Sequence, residues 1–135
     1  YKIIFFHGSK LEMLKFQPKA NTIVMCDFKG FIVPEMVKNR PALVIKKNNQ
    51  NAKLVTILPI STTKPEPMSE MHIPIAGPID GKEAWIKCDM LTTVCIERLD
   101  RLKIRKDNKN EWVVKSLEDE TFELVKKTIA KYFNF

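Results

Sequence analysis

The chain has 135 residues, 44% hydrophobic and 29% charged, the size and balance of one globular domain with a modest core of its own. Lys+Arg of 23 against Asp+Glu of 16 gives +7, which suits a polyanionic partner (nucleic acid, an acidic protein or a membrane surface) as well as it suits plain solubility. No apolar run is long enough to span a membrane. Three cysteines (Cys26, Cys88, Cys95) without C-x-x-C spacing, and two histidines (His7, His72) outside any ligand cluster, argue against a disulfide framework and against a metal centre, and point to a reducing, cytoplasmic setting.

In chain order, "YKIIFFHGSK" has a short apolar patch but lacks the apolar core length and small-residue cleavage site of a secretory signal. It starts at Tyr1, so an intact translation start is not expected here. Residues 1–15 read as an N-terminal extension or extra edge strand ahead of a domain at 16–135, with Met13 as an alternative start. "NTIVMCDF" (21–28) is apolar and β-branched, a strand that runs into the charged loop "KGFIVPEMVKNRP" (29–41). "ALVIKK" (42–47) and "KLVTILPI" (53–60) flank the polar "NNQNA", a hairpin signal. "STTKPEPMSE" (61–70) has two prolines and no apolar period and reads as a loop. "MHIPIAG" (71–77) alternates, with Pro74 fitting an edge strand or a bulge.

"EAWIKCDMLTTV" (83–94) reads as one strand. Alternation then places Ala84, Ile86, Cys88, Met90 and Thr92 on a core face, and Trp85, Lys87, Asp89, Leu91 and Thr93 on the other. "DRLKIRKDN" leads into "NEWVVKS" (110–116), a further strand. In the tail the period changes: Ser116 resembles an N-cap with an acidic first turn, and Phe122, Val125, Ile129 and Tyr132/Phe133 recur at helical spacing. Five or six short strands with one or two helices, and no strand–helix alternation, predict a mainly β fold with a strongly bent sheet or barrel.

Three segments offer polar groups where strands end. Arg40 precedes Pro41, which holds its backbone extended and projects the guanidinium from the rim of the sheet; a plain solvent-facing charge is the alternative. Ser61, Thr62 and Thr63 end a strand just before Lys64, where hydroxyls either satisfy turn backbone groups or bind a phosphate or ribose. Lys87 and Asp89, two apart on one strand face, place a cation and a base within about 7 Å, or form an exposed pair contributing roughly 0–1 kcal/mol.

Taken in order, "NTIVMCDF…EMVKNRPALVI…KLVTILPISTT…AWIKCDML" resembles the PemK/MazF family of toxin endoribonucleases of bacterial toxin–antitoxin systems, over about residues 19 to 133. The resemblance implies a small SH3-like β-barrel of the PemK/MazF type with a C-terminal amphipathic helix. It also implies a metal-independent, cofactor-free cleavage of single-stranded mRNA. In it the ribose 2′-hydroxyl attacks its own 3′-phosphate, leaving a 2′,3′-cyclic phosphate and a 5′-hydroxyl end. Arg40 then falls at the catalytic arginine, and Ser61 at a hydroxyl position usually held by threonine, with Thr62 at the next. Lys87 and Asp89 fall where some members carry an arginine and an aspartate assigned to acid–base work. In this scheme Arg40 clamps the phosphorane, Asp89 is the candidate base, Lys87 stabilises charge or donates the proton, and Ser61 positions phosphate or ribose. Two departures stand out: Pro34-Glu35 occupies the loop where certain relatives have a histidine, and lysine at 87 lacks the bidentate fork of arginine.

The resemblance further implies a homodimer with RNA in a groove across its interface. Thr62, Thr63, Lys64, Lys38, Glu35 and Trp85 would contact RNA there, and Lys29, Lys46 and Lys47 would add phosphate attraction. Phe28, Phe31, Met36 and Trp85 are candidates for base stacking, with core or dimer contact as the alternative for each. An acidic, partly disordered antitoxin would occupy the same basic groove, and DNA would be met only indirectly, through it. Two competing classes stand beside this reading: a non-catalytic nucleic-acid- or acidic-protein-binding module on the same barrel, and a cysteine-dependent hydrolase or redox protein using Cys88 or Cys26.

Overall fold

The computed structural model describes residues 2–134 except 7–13, with residues 2–6 described by their backbone alone. Met13 lies outside the described residues. The described elements are strands β1 (Lys2–Phe6), β2 (Thr22–Asp27), β3 (Asn39–Lys47), β4 (Leu54–Ser61), β5 (His72–Ala76), β6 (Glu83–Lys87) and β7 (Thr92–Cys95), a 3-10 turn at Ile96–Arg98, strands β8 (Leu99–Lys106) and β9 (Lys109–Ser116), and one helix, α1 (Asp119–Phe133). The fold is mainly β with a C-terminal helix, as the sequence predicts. The strand count is higher than expected because Lys2–Phe6 adds to the free side of β9, the 83–94 segment divides in two, and Leu99–Lys106 pairs as a full strand.

Every pairing is antiparallel. The strands run in the order β1-β9-β8-β2-β3-β4-β6-β5, with β7 on β4 and a second contact between β2 and β9, so the bent sheet curls without closing. Successive residues of its central strands feed two different cores. Ile23, Leu43, Leu58 and Ile60 join one apolar cluster with Ile86, Cys88, Val125 and Ile129. Val24, Cys26, Ala42, Val44, Val55 and Ile57 join the other, closed by Val94, Ile96 and Leu99. Burial on both faces explains why "ALVI" and "LPI" are unbroken apolar runs and not alternating ones.

α1 covers the first of these cores through Val125 and Ile129. Its N-cap is Glu118, without a side-chain capping bond, while Ser116 completes β9. The expected cap at Ser116 is therefore two residues early: the strand ladder holds that residue through its pairing with Lys2 and Thr22. Tyr132 and Phe133, expected on the docking face, are exposed at the helix end. No helix among the described residues is long and apolar enough to cross a membrane.

Candidate functional site

The site begins with a fork in β4. Its first half, Leu54–Ile57, pairs with β7, and its last residues, Ile60 and Ser61, pair with β6. The expectation of a single strand over 83–94 is corrected here. Lys87 ends β6, its carbonyl accepts the Met90 N–H at 3.1 Å, and the chain turns through 88–91 before β7 begins. That turn bridges the gap in the fork opposite Leu58 and Pro59, and Pro59 carries no N–H to be left unpaired.

One group of expected residues gathers on the rim where β3, β4 and β6 end. Ala42 pairs with Pro59, and the same register continued two residues brings Arg40 level with Ser61. Ser61 in turn pairs with Trp85, two residues before Lys87. Arg40 is half-buried, its Nε donates to the Val37 carbonyl at 3.4 Å, and no described carboxylate is in ion-pair contact with it. Thr62, Thr63 and Lys64 are exposed beside it, as is Lys38, which turns the chain at φ 68°.

Two residues of this group are more occupied than the sequence suggested. Ser61 Oγ donates to the Thr63 carbonyl at 2.8 Å and accepts the Thr63 N–H at 3.1 Å, so its hydroxyl closes the turn, the backbone role left open above. Trp85 is 7% exposed. Alternation placed it on a polar face with Lys87 and Asp89, but Ala84, Trp85 and Ile86 are all buried because β6 is covered on both sides. Its ring is thus no solvent-facing stacking platform in the single chain.

A second group lines a cavity of about 300 Å³ at the fork. Phe28, Phe31 and Met36 from the 28–38 loop form one wall, and Pro59, Leu91 and Asp89 form the other, with Glu35 also in the lining. Arg40, Ser61, Lys87 and Trp85 are not part of it. The Phe28 and Phe31 rings meet edge to face at 5.2 Å. Glu35 accepts the Ile32 N–H at 2.7 Å, which ties the loop to itself. Asp89 is different: its Oδ1 is shielded from solvent and no donor reaches it among the described residues.

A residue that the sequence reading missed holds the loop in place. Arg98 Nη1 donates to the carbonyls of Asp27 at 2.9 Å and Lys29 at 2.7 Å, and the guanidinium lies over the Phe31 ring at 5.2 Å. Its partners stand some seventy residues away in the chain, so no local pattern marks it.

Cys26 and Cys88 are buried free thiols. Burial pushes the Cys88 thiol up to about 12, helped by the neighbouring Asp89 charge. Burial does the same to Cys26, also to about 12, partly offset by Arg98. Burial of both thiols counts against the cysteine-dependent reading.

Comparison with known proteins follows the same lines. The family described as PemK-like, MazF-like toxin of type II toxin–antitoxin system matches residues 19–133. No curated protein matches the sequence. Among solved structures, MazF (Form-I) from Deinococcus radiodurans aligns with a TM-score of 0.63 at 15% identity, covering 87% of this chain and 97% of that one. An endoribonuclease in complex with its cognate antitoxin, from a mycobacterial species, gives 0.61 at 15% identity, with coverages of 88% and 97%. The Mycobacterium tuberculosis toxin MazF-mt6 gives 0.58 at 16% identity, with 83% and 96%. At such identities the likeness is one of fold.

Proposed function

The chain belongs to the PemK/MazF family of type II toxin–antitoxin toxins, and on that premise we propose that it is a sequence-selective endoribonuclease acting on single-stranded mRNA. The reaction passes the ribose 2′-oxygen onto the adjacent phosphorus and expels the 5′-oxygen, giving a 2′,3′-cyclic phosphate. It needs positive charge on the dianionic phosphorane and proton transfers at two oxygens, all within reach of side chains and with no required metal.

The observation that carries this reading is the rim. Arg40 stands level with the end of β4 with no carboxylate partner, beside exposed hydroxyls and Lys64, on a chain of net charge +7. Arg40 stabilises the phosphorane; with a pKa above about 12 it does not move protons. Lys87, at the end of β6, donates a proton to the leaving 5′-oxygen, and Asp89, two residues on, takes the one released by the 2′-hydroxyl. Thr62 and Thr63 offer free hydroxyls to the phosphate or ribose, the task first expected of Ser61. A homodimer, an acidic antitoxin bound across the basic rim, and contact with DNA only through that antitoxin complete the reading, together with a cytoplasmic site of action.

The test is cleavage of a long RNA by purified protein in EDTA, with the ends analysed. Cyclic-phosphate and 5′-hydroxyl ends, lost in Arg40→Ala, support the proposal; intact RNA overturns it. One observation favours the alternative of a non-catalytic RNA-binding module, namely that Ser61 is already engaged in its turn. RNA bound without product, and bound equally by Arg40→Lys, would select that reading.

A further inference from the structure

We propose that the β8–β9 hairpin is a second RNA-backbone site, one that grips a long single strand away from the point of cutting. This rests on the reading above as far as RNA is the ligand, and it concerns residues that the reaction does not use.

The hairpin is built to stand out from the sheet. Asp107 and Asn108 both have positive φ, 51° and 62°, the backbone of a two-residue type I′ turn. β8 pairs with β2 only through Leu99, Asp100 and Arg101, and β9 meets β1 from Trp112 onward. Between those limits β8 and β9 pair with each other alone among the described residues. Alternation then splits the tip. Leu102 and Ile104 turn to the core that α1 covers. Arg101, Lys103 and Arg105 turn the other way, with Trp112 opposite Lys103 and Asn110 opposite Arg105. Lys103, Arg105 and Asn110 are exposed and Trp112 is half-buried, so solvent reaches all four.

Charge says what the ligand is. Residues 101–109 hold five cations and one carboxylate, whereas α1 carries three of each. Mixed signs are enough for solubility; a run of one sign is a footprint for a polyanion. No described carboxylate is in ion-pair contact with Lys103 or Arg105, and the carboxylates of the hairpin lie at the turn (Asp107) or on the opposite face (Glu111). At the tip Lys106 stands opposite Lys109, a like-charge pair that costs a sheet stability and that a phosphate relieves. Trp112 favours RNA over an acidic protein, because a base stacks on an indole and a carboxylate does not.

Position ties the hairpin to the rim. Cys26 pairs with Arg40 on one side and with Leu99 on the other, so both share its row and its face. Arg105 lies six residues further along β8 on that same face, about 20 Å at the usual rise of a strand. A long RNA clamped at Arg40 thus has a second row of cations within its reach, and a short one does not.

The experiment titrates the protein with a long 2′-O-methyl oligouridine, which lacks the attacking hydroxyl and stays whole. Affinity is followed against salt, and the Trp112 indole N–H by NMR. Lys103→Ala/Arg105→Ala is expected to lower the slope of log affinity against log salt by about 1.4, at about 0.7 per phosphate contact. The melting temperature should not change, because both side chains are exposed. The control Lys53→Ala/Lys127→Ala removes the same charge outside the hairpin and should leave the slope at its wild-type value. In wild type the indole signal shifts with RNA. A slope unmoved by the hairpin pair, or moved equally by both pairs, overturns the proposal. So does polyglutamate that shifts Trp112 as RNA does, which would make the ligand an acidic protein. Cleavage supplies the second arm: the hairpin pair raises KM for a long RNA, leaves kcat unchanged and leaves a short substrate unaffected. RNA left uncut by wild type would sink the endoribonuclease reading, and the titration would still decide this one.

Discussion

The rim and the cavity are built from the same strands yet are opposite in character. At the rim, Arg40, Lys38, Lys64 and Lys87 lack carboxylate partners among the described residues, and hydroxyls stand in solvent between them. At the cavity, aromatic and aliphatic surface surrounds two carboxylates, one with an unpartnered oxygen. Unpaired charges of one sign are a generic attractor for a polyanion, whereas an apolar pocket with carboxylates in its lining is not. On the proposed reading, RNA is held at the rim and not in the cavity.

That division can be broken most directly at Arg40. Arg40→Ala is expected to lower the cleavage rate about 100- to 1000-fold, the usual effect of removing one preorganised transition-state donor, with RNA affinity far less affected. Arg40→Lys should recover only part of the loss, since the bidentate fork goes with the guanidinium; single-turnover kinetics separates the two effects.

The next effect in size lies on the cavity side. Arg98→Ala removes two charge-assisted bonds and the stack on Phe31, and is expected to cost about 2 kcal/mol of stability, with amide exchange accelerated at Phe28 and Phe31. Arg98→Lys should not restore it, because an ammonium does not stack on the ring and bridge two carbonyls at once. An unchanged melting temperature in both variants would show that the loop stands without this grip.

Smaller, and specific to the rim, is the salt dependence of RNA binding. Each phosphate contact adds about 0.7 to the slope of log affinity against log salt for a single strand. Lys38→Ala and Lys64→Ala should each reduce the slope by about that amount, and Glu35→Gln should leave it alone. A slope that moves with Glu35 would erase the distinction between the regions.

The mildest test concerns Cys26 and Cys88, whose thiol pKa values are raised from 9.0 to about 12 in the folded chain. The unfolded chain loses these protons near pH 9 while the folded one keeps them, so stability falls as pH rises from about 9 toward 12. Chemical denaturation across that range should show the fall, and Cys88→Ala should flatten it.

Much of the scaffold was legible in the sequence because its signals are local: β-branched runs, the "NNQNA" hairpin and the 3.6-residue period of the tail. Arg40 was legible for the same reason, since a proline at the next position fixes its backbone. What escaped reading depends on layers. Whether Trp85 faces solvent is decided by what covers β6, and alternation assumes one open face where this sheet has none. The break after Lys87 is set by β4 having two partners along its length, which no window around "IKCDML" contains. Arg98 owes its role to carbonyls far away in the chain.

The fork has one more consequence. Residues 88–91 make no strand pairing of their own, and three of them, Asp89, Met90 and Leu91, line the cavity, with sheet on either side. Residues there can change in kind, and even in number, without shifting the register of β6 or β7. The lining of the cavity can therefore diverge among relatives while the barrel-like frame stays fixed.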